Sequence, residues 1–339
     1  MNTTIKDIAR IAGVSYSTVS KALNDNPLVA PRTKAKVVEV ARQMGYQPNM
    51  VAKSLVSKKS NIIGVVWPRA ERFTWSSLVT QINNTLAARS YNMLLSINPV
   101  DSAIAVFSQF RVDAILLFRE YIMDNLQVNP PASAPILHYG SPIVSGYPTI
   151  NVNRKKAMFE AVRYLHQLGH TRISYIGDLS QMDLTQQEKQ AGFQAAALQF
   201  QLAAHPDMML NTQDNSPDSG YQIGKQMIAS AFQPTAIVIG SYGLSVGVMR
   251  ALEEAHIRVP ADLSVISYDN IPQMVNFSVP LTVVGANVEC VADMIVSTLI
   301  HLVENPAIVA HYTEIDVELV ERSSCGPPRL GDMSAKIGI

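Results

Sequence analysis

Tyr16, Ser17, Ser20 and Lys21 fall on one side of a short segment whose other side carries Val19, Ala22 and Leu23. A lysine can donate to guanine O6 or N7, a serine hydroxyl can bond either base edge, and a tyrosine offers an apolar ring with a hydroxyl. Such a set reads bases if a helix presents it to a groove. Other candidate chemistry is sparse. His166 and His170 stand four apart, as in half a metal site. No third ligand lies near them, so the expectation is one histidine at a helix C-terminus, one exposed histidine, and neither metal nor other cofactor. Cys290 and Cys325 are the only cysteines in 339 residues, which excludes a disulfide framework and suits a reducing cytoplasm. No phosphate-cradling glycine loop, nucleophile elbow or paired-cysteine motif occurs, so no catalytic residues are assigned and an enzyme is not expected.

The elements that must position the first group are legible locally. Ile5, Ile8, Ala9 and Ala12 recur at helical spacing, and Thr4 with Asp7 forms a capping-box pattern. Gly13 permits a turn, Ser15 can cap a second helix, and a third helix from about Pro31 buries Val37, Val40, Ala41 and Met44 before stopping at Gly45. The first two helices are spaced as in a helix-turn-helix, whose second helix enters the major groove; a small helical domain kept soluble by its charges has the same spacing. Charge bears on the partner. The chain is formally neutral, yet residues 1–60 hold ten Lys or Arg against three Asp or Glu, a net +7, and the other 279 residues hold 17 against 24, a net −7. A basic end on a neutral chain is the footprint of a polyanion partner.

Thr4-Ile5-Lys6-Asp7-Ile8-Ala9, Ala12-Gly13-Val14-Ser15-Tyr16-Ser17-Thr18-Val19-Ser20 and Gly45-Tyr46-Gln47-Pro48-Asn49 together closely resemble the signature of the lactose-repressor and galactose-repressor family of bacterial transcription regulators. Val51-Ala52-Lys53-Ser54-Leu55 resembles that family's hinge helix, which orders on DNA and inserts a leucine into the minor groove. The resemblance implies DNA contacts by Thr4, Ser15, Tyr16, Ser17, Ser20, Lys21, Asn24, Asn49, Ala52, Lys53 and Leu55, with Leu55 as the wedge. An ordinary apolar linker residue is the alternative for Leu55; Lys53, Lys58 and Lys59 are expected to contact phosphate, with simple hydration of a linker the alternative.

From Asn61 onward, buried strand-like runs alternate with helical patterns, beginning with Ile62 to Trp67 and a helix from about Trp75 to Arg89. This is the pattern of parallel α/β structure. Further strands are expected at 93–97, 114–118, 136–139 and 150–152, then, in a second lobe, at 173–176, 236–239 and 264–268. Leu168-Gly169-His170, Ala191-Gly192-Phe193 and Ser264 to Asn270 resemble landmarks of the same family, whose core is similar to periplasmic sugar-binding proteins. The implied fold is a small all-α helix-turn-helix head plus α/β, as two doubly wound parallel-sheet lobes. The expected divisions are a head over 1–47, a hinge and linker over 48–60, a two-lobed effector-binding and dimerisation domain over 61–323, and a tail over 324–339. In that fold the chain crosses between lobes three times, so a helix over 288–303 should return to the first lobe and a strand over 315–319 should close the second.

The resemblance implies an effector site formed by Phe73, Trp75, Lys189, Ser241 and Asp269, in a cleft between the lobes. Lys189 stands where the family usually has arginine, which removes a bidentate clamp. Ser241-Tyr242 replaces a usual Asn-Asp pair, and Gly285-Ala286 a usual polar residue and proline. An acid with an aromatic ring suits a sugar; equally, Asp269 can cap a loop, Trp75 fill the first lobe, and Lys189 be a solvated helix residue. The expected function is therefore a cytoplasmic DNA-binding regulator, most simply a repressor, acting as a homodimer on a palindromic operator under a small-molecule effector, a sugar or sugar derivative, with no membrane partner. A sugar-binding protein without DNA function would lack the basic head, and an α/β enzyme with a helical accessory domain would need a catalytic constellation.

Overall fold

The computed structural model describes residues 4–23, 25–46, 59–67, 73–118, 134–140, 146–305 and 311–329, excepting the side chains of 73–75. The chain divides into two compact units, Met1–Ser60 and Asn61–Ile339.

The first unit holds α1 (Ile5–Ala12), α2 (Tyr16–Leu23) and α3 (Pro31–Gln43). Thr4 and Asp7 form a reciprocal capping box: the Asp7 amide donates to Thr4 Oγ1 at 3.4 Å and the Thr4 amide to Asp7 Oδ2 at 3.0 Å. Gly13 then takes a left-handed conformation, φ +66°, and turns the chain out of α1. Ser15 Oγ accepts from the Thr18 amide at 3.1 Å and starts α2. The three helices meet on Ile8, Ala12, Val19, Ala22, Val29, Val37 and Ala41, as the apolar spacing requires.

The second unit holds two six-stranded sheets. The first is built by β1 (Ile62–Val66), α4 (Phe73–Ala88), β2 (Asn92–Ser96), α5 (Val100–Phe110), β3 (Ala114–Phe118), β4 (Ile136–Tyr139) and β5 (Thr149–Val152). The chain crosses to the second lobe through α6 (Arg154–Gln167), β6 (Ile173–Gly177), α7 (Leu184–Gln199), β7 (Met209–Asn211), α8 (Pro217–Ala229), β8 (Ala236–Ile239), α9 (Tyr242–Glu254), β9 (Ser264–Asn270) and β10 (Thr282–Asn287). It returns through α10 (Val288–Glu304), whose Val291, Ile295 and Leu299 pack into the first lobe's core. β11 (Tyr312–Ile315) and β12 (Glu318–Val320) follow. The strand orders are β11-β5-β4-β3-β1-β2 and β12-β10-β9-β8-β6-β7, parallel except where β12 runs antiparallel to β10. α4 starts two residues before the expected Trp75.

The single strand expected over 315–319 is corrected. Tyr312–Ile315 pairs with β5 in the first sheet, and Glu318–Val320 pairs with β10 in the second, so Asp316 and Val317 are the third crossing. β7 and β10 were not foreseen.

Two glycines mark close packing. A Cβ on Gly64 would lie 2.7 Å from the Phe107 ring, so α5 seats on β1 only over glycine. A Cβ on Gly192 would collide with the Lys155 carbonyl, which is why α6 and α7 cross there. His170 corrects another expectation: it is 1 % exposed, with Nδ1 2.9 Å from Thr235 Oγ1 and Nε2 2.8 Å from the Gly326 carbonyl. The imidazole therefore staples the segment after β12 to the second lobe. His166, the helix-end histidine, stacks on Phe200 with ring centroids 4.9 Å apart.

Candidate nucleic-acid interface and ligand cleft

In the head, burial of Val19 and Ala22 turns Tyr16, Ser17 and Lys21 outward, and Tyr16 is 56 % exposed. Ser20 is half-buried. Three of the predicted contact residues, Thr4, Ser15 and Ser17, have their hydroxyls engaged within the protein. Thr4 Oγ1 donates to Asp7 Oδ2 at 2.6 Å, and Ser15 Oγ lies 2.9 Å from Ser17 Oγ and 2.8 Å from Thr18 Oγ1. Their place is at helix N-termini, where backbone amides collect and anions such as phosphate are attracted. Asn24, Asn49, Ala52, Lys53 and Leu55 lie outside the described residues.

In the second unit a cavity of about 330 Å³ opens between the lobes. Lys189, Ser241 and Asp269 all line it. Lys189 is not a solvated helix residue: it is 5 % exposed, its Nζ donates to the Gly240 carbonyl at 2.7 Å, and the ammonium sits 4.0 Å from the Tyr268 ring centroid. Ser241 caps α9, its Oγ accepting from the Leu244 amide at 3.4 Å. Asp269 reinforces that cap, Oδ2 accepting from the Tyr242 amide at 2.9 Å. Asp269 thus acts as a cap, at a helix end that faces the cleft. The side chains of Phe73 and Trp75 lie outside the description.

Several cleft residues escaped the sequence reading, among them Tyr139, Arg154, Asp178, Gln186 and Asp214. Arg154 and Asp178 each follow closely on a parallel strand, β5 and β6. Position after a strand C-terminus was the signal available for them. Arg154 is buried at the first crossing and donates to Asn151 Oδ1 at 2.5 Å and Glu188 Oε2 at 3.1 Å. Burial pulls its pKa down, but Tyr268, Glu188 and Tyr139 more than offset this and raise it, so the guanidinium stays charged. Asn151 Nδ2 donates to Glu188 Oε1 at 3.1 Å and to Tyr312 Oη at 3.2 Å, linking the first crossing to β11. Burial raises Tyr268 above the ordinary phenol range, so it stays neutral and offers Lys189 an uncharged ring face.

Among the described residues no cluster of three metal-ligating side chains occurs, and no helix is long and apolar enough to cross a membrane.

Comparison with known proteins agrees with both units. Residues 4–49 match the model for bacterial regulatory proteins of the lacI family, and residues 162–325 match a periplasmic binding protein-like domain. The HTH-type transcriptional repressor PurR of Proteus mirabilis is 30 % identical over 331 residues, 95 % of this chain and 96 % of that one. The probable HTH-type transcriptional repressor ExuR of Bacillus subtilis is 30 % identical over 329 residues, covering 95 % and 98 %. The lac repressor dimer bound to operator and the anti-inducer ONPF superposes with a TM-score of 0.79 at 25 % identity, covering 96 % of this chain and all of that one. The chain belongs to the LacI/GalR family of DNA-binding bacterial transcription regulators.

Proposed function

We propose that the protein is a cytoplasmic repressor that binds a palindromic operator as a homodimer and is controlled by a sugar-like effector in the interlobe cleft. The observation that carries the DNA reading is the outward face of α2, where Tyr16, Ser17 and Lys21 stand exposed on a head of net charge +7. Lys21 reads guanine, Ser17 and Tyr16 read neighbouring edges, and Thr4 and Ser15 hold the helix N-termini toward phosphate. Asn24, Asn49, Ala52 and Lys53 add contacts around them, and Leu55 unstacks the central base step. Lys189, Ser241 and Asp269, with Phe73 and Trp75, hold the effector.

A dimer is supported by apolar side chains exposed on consecutive elements at the β2 edge of the first lobe. Leu95 and Ile97 are 40 % and 62 % exposed, and Val106 and Phe110 on α5 are 37 % and 53 % exposed. A strand at a sheet edge, unpaired on one side among the described residues, is suited beside such a surface to a second copy, and a two-fold dimer matches a palindrome. The lac repressor, bound to its operator as a dimer, is the structural precedent. Effector binding changes operator affinity through unequal affinity for two dispositions of the lobes.

The test is selection of bound sites from a random duplex pool by the full-length protein. The reading requires enriched sites with inverted half-sites; enrichment of single, unpaired half-sites counts against the dimer, and no enrichment at all counts against the head as a reader.

A further inference from the structure

Three carboxylates, Asp178, Asp214 and Asp269, line the cleft, against two cations, Arg154 and Lys189. Both cations are directed at protein acceptors, Arg154 at Asn151 and Glu188, Lys189 at the Gly240 carbonyl. By formal count the wall is net negative by one charge. Two helix ends at the cleft hold the chain's own acids. Asp269 accepts from the Tyr242 amide at the start of α9, and Asp183 Oδ1 accepts from the Thr185 and Gln186 amides, at 2.8 and 3.2 Å, at the start of α7.

A second observation is independent of these charges. Gln186 lines the cleft and is 1 % exposed, yet its Oε1 has no hydrogen-bond donor among the described residues. Half-buried Asn215 lines the same cleft, and its Oδ1 likewise lacks one. A buried carbonyl oxygen without a donor is costly, so this wall is built to receive donors from its occupant. Carboxylates and amide oxygens only accept; an ammonium group supplies three donors with a positive charge, and hydroxyls supply one each.

We propose that the cleft takes an amine-bearing polyol of monosaccharide size and rejects phosphorylated or carboxylate-bearing analogues. This rests on the reading of the cleft as the effector site. The volume lies at the small end of ligand pockets, which run from about 300 Å³ upward. An anionic group would face the net negative wall, and that repulsion provides the discrimination.

The test is calorimetric titration of the full-length protein, at slightly acid pH where the amine carries its proton, with glucosamine, galactosamine and mannosamine. Each is paired with its neutral parent hexose, its 6-phosphate and its uronate. The expectation is that one amine binds about tenfold or more tightly than its neutral parent, about 1.4 kcal/mol, and that the anionic forms do not bind. Asp214→Asn should narrow the gap between amine and parent. A neutral or anionic form that binds as well as the amine overturns the proposal and leaves the effector site standing. Failure of every member to bind overturns both.

Discussion

Arg154 and Glu188 form a salt bridge of 3.1 Å between the first residue of α6 and the second turn of α7, with the arginine side chain 7 % exposed and the glutamate 22 %. The pair sits where the chain first crosses between lobes, with Arg154 on the wall of the cleft, and Asn151 ties it to Tyr312 beside the third crossing. Any occupant that touches Arg154 therefore touches the joint between the lobes.

Removing one partner of a largely buried pair leaves the other charge without compensation. Arg154→Leu should destabilise the second unit by about 3 kcal/mol, seen as a lower urea midpoint, and adding Glu188→Leu should restore part of it. A double variant that loses the sum of the two single losses would show that the residues do not act as a pair.

His170 should hold the C-terminal segment. His170→Ala removes the donor to the Gly326 carbonyl and should cost about 1–3 kcal/mol as buried polar groups lose their partner. Thiol labelling gives a local readout. Burial raises the Cys325 thiol to about 11, against hydrogen bonds from Thr282 and Ser324 that act the other way, whereas Cys290 is exposed. At mildly alkaline pH Cys290 should label quickly and Cys325 slowly. His170→Ala should accelerate Cys325 alone; an unchanged rate would show that the segment is held without the histidine.

Capping and base reading should separate within the head. Thr4→Ala should destabilise α1 by about 1 kcal/mol while preserving base preference, and Lys21→Ala should alter preference at one half-site position with little loss of stability. The Asp7 carboxyl is held below its ordinary value of 3.8, chiefly by the Thr4 hydroxyl and then by the Thr4 amide. Its contribution is fully present above that unfolded-state value and is lost as pH falls through the lower folded value. Acid should therefore unfold the Thr4→Ala head with a shallower pH dependence than the parent, as followed by the loss of helical circular dichroism. Equal pH dependence would separate Asp7 from the cap.

The head was legible because its determinants are local. Thr4 with Asp7, Gly13, Ser15 and the Ile8-Ala12 spacing each act within one or two turns, and each does in the structure what its spacing implies. The two-lobed architecture was legible from runs such as Ile62–Val66, which only a sheet covered on both faces can bury. The cleft was less so. Lys189, Ser241 and Asp269 were placed by resemblance, whereas Gln186 looks like any polar helix residue until α7 turns it inward. His170 was misjudged because its partner Gly326 lies 156 residues away. The 315–319 segment was misjudged because the run of alternating residues continues through the crossing at Asp316 and Val317, and only sheet pairing divides it.

The exposed apolar edge of the first lobe should be a contact between copies. Phe110→Asp places a charge in that surface and should shift the protein from dimer to monomer in sedimentation, with a parallel loss of operator affinity. A dimer unaffected by Phe110→Asp and by Ile97→Asp would place the contact elsewhere.

The most direct measurement of the central claim, a cationic head that binds an operator duplex, is a salt titration of operator affinity with full-length protein. Six to ten phosphate contacts predict an affinity loss of about a thousandfold or more between roughly 50 and 200 mM salt, with a log–log slope near −0.9 per contact. An affinity that stays flat across that range would contradict the account.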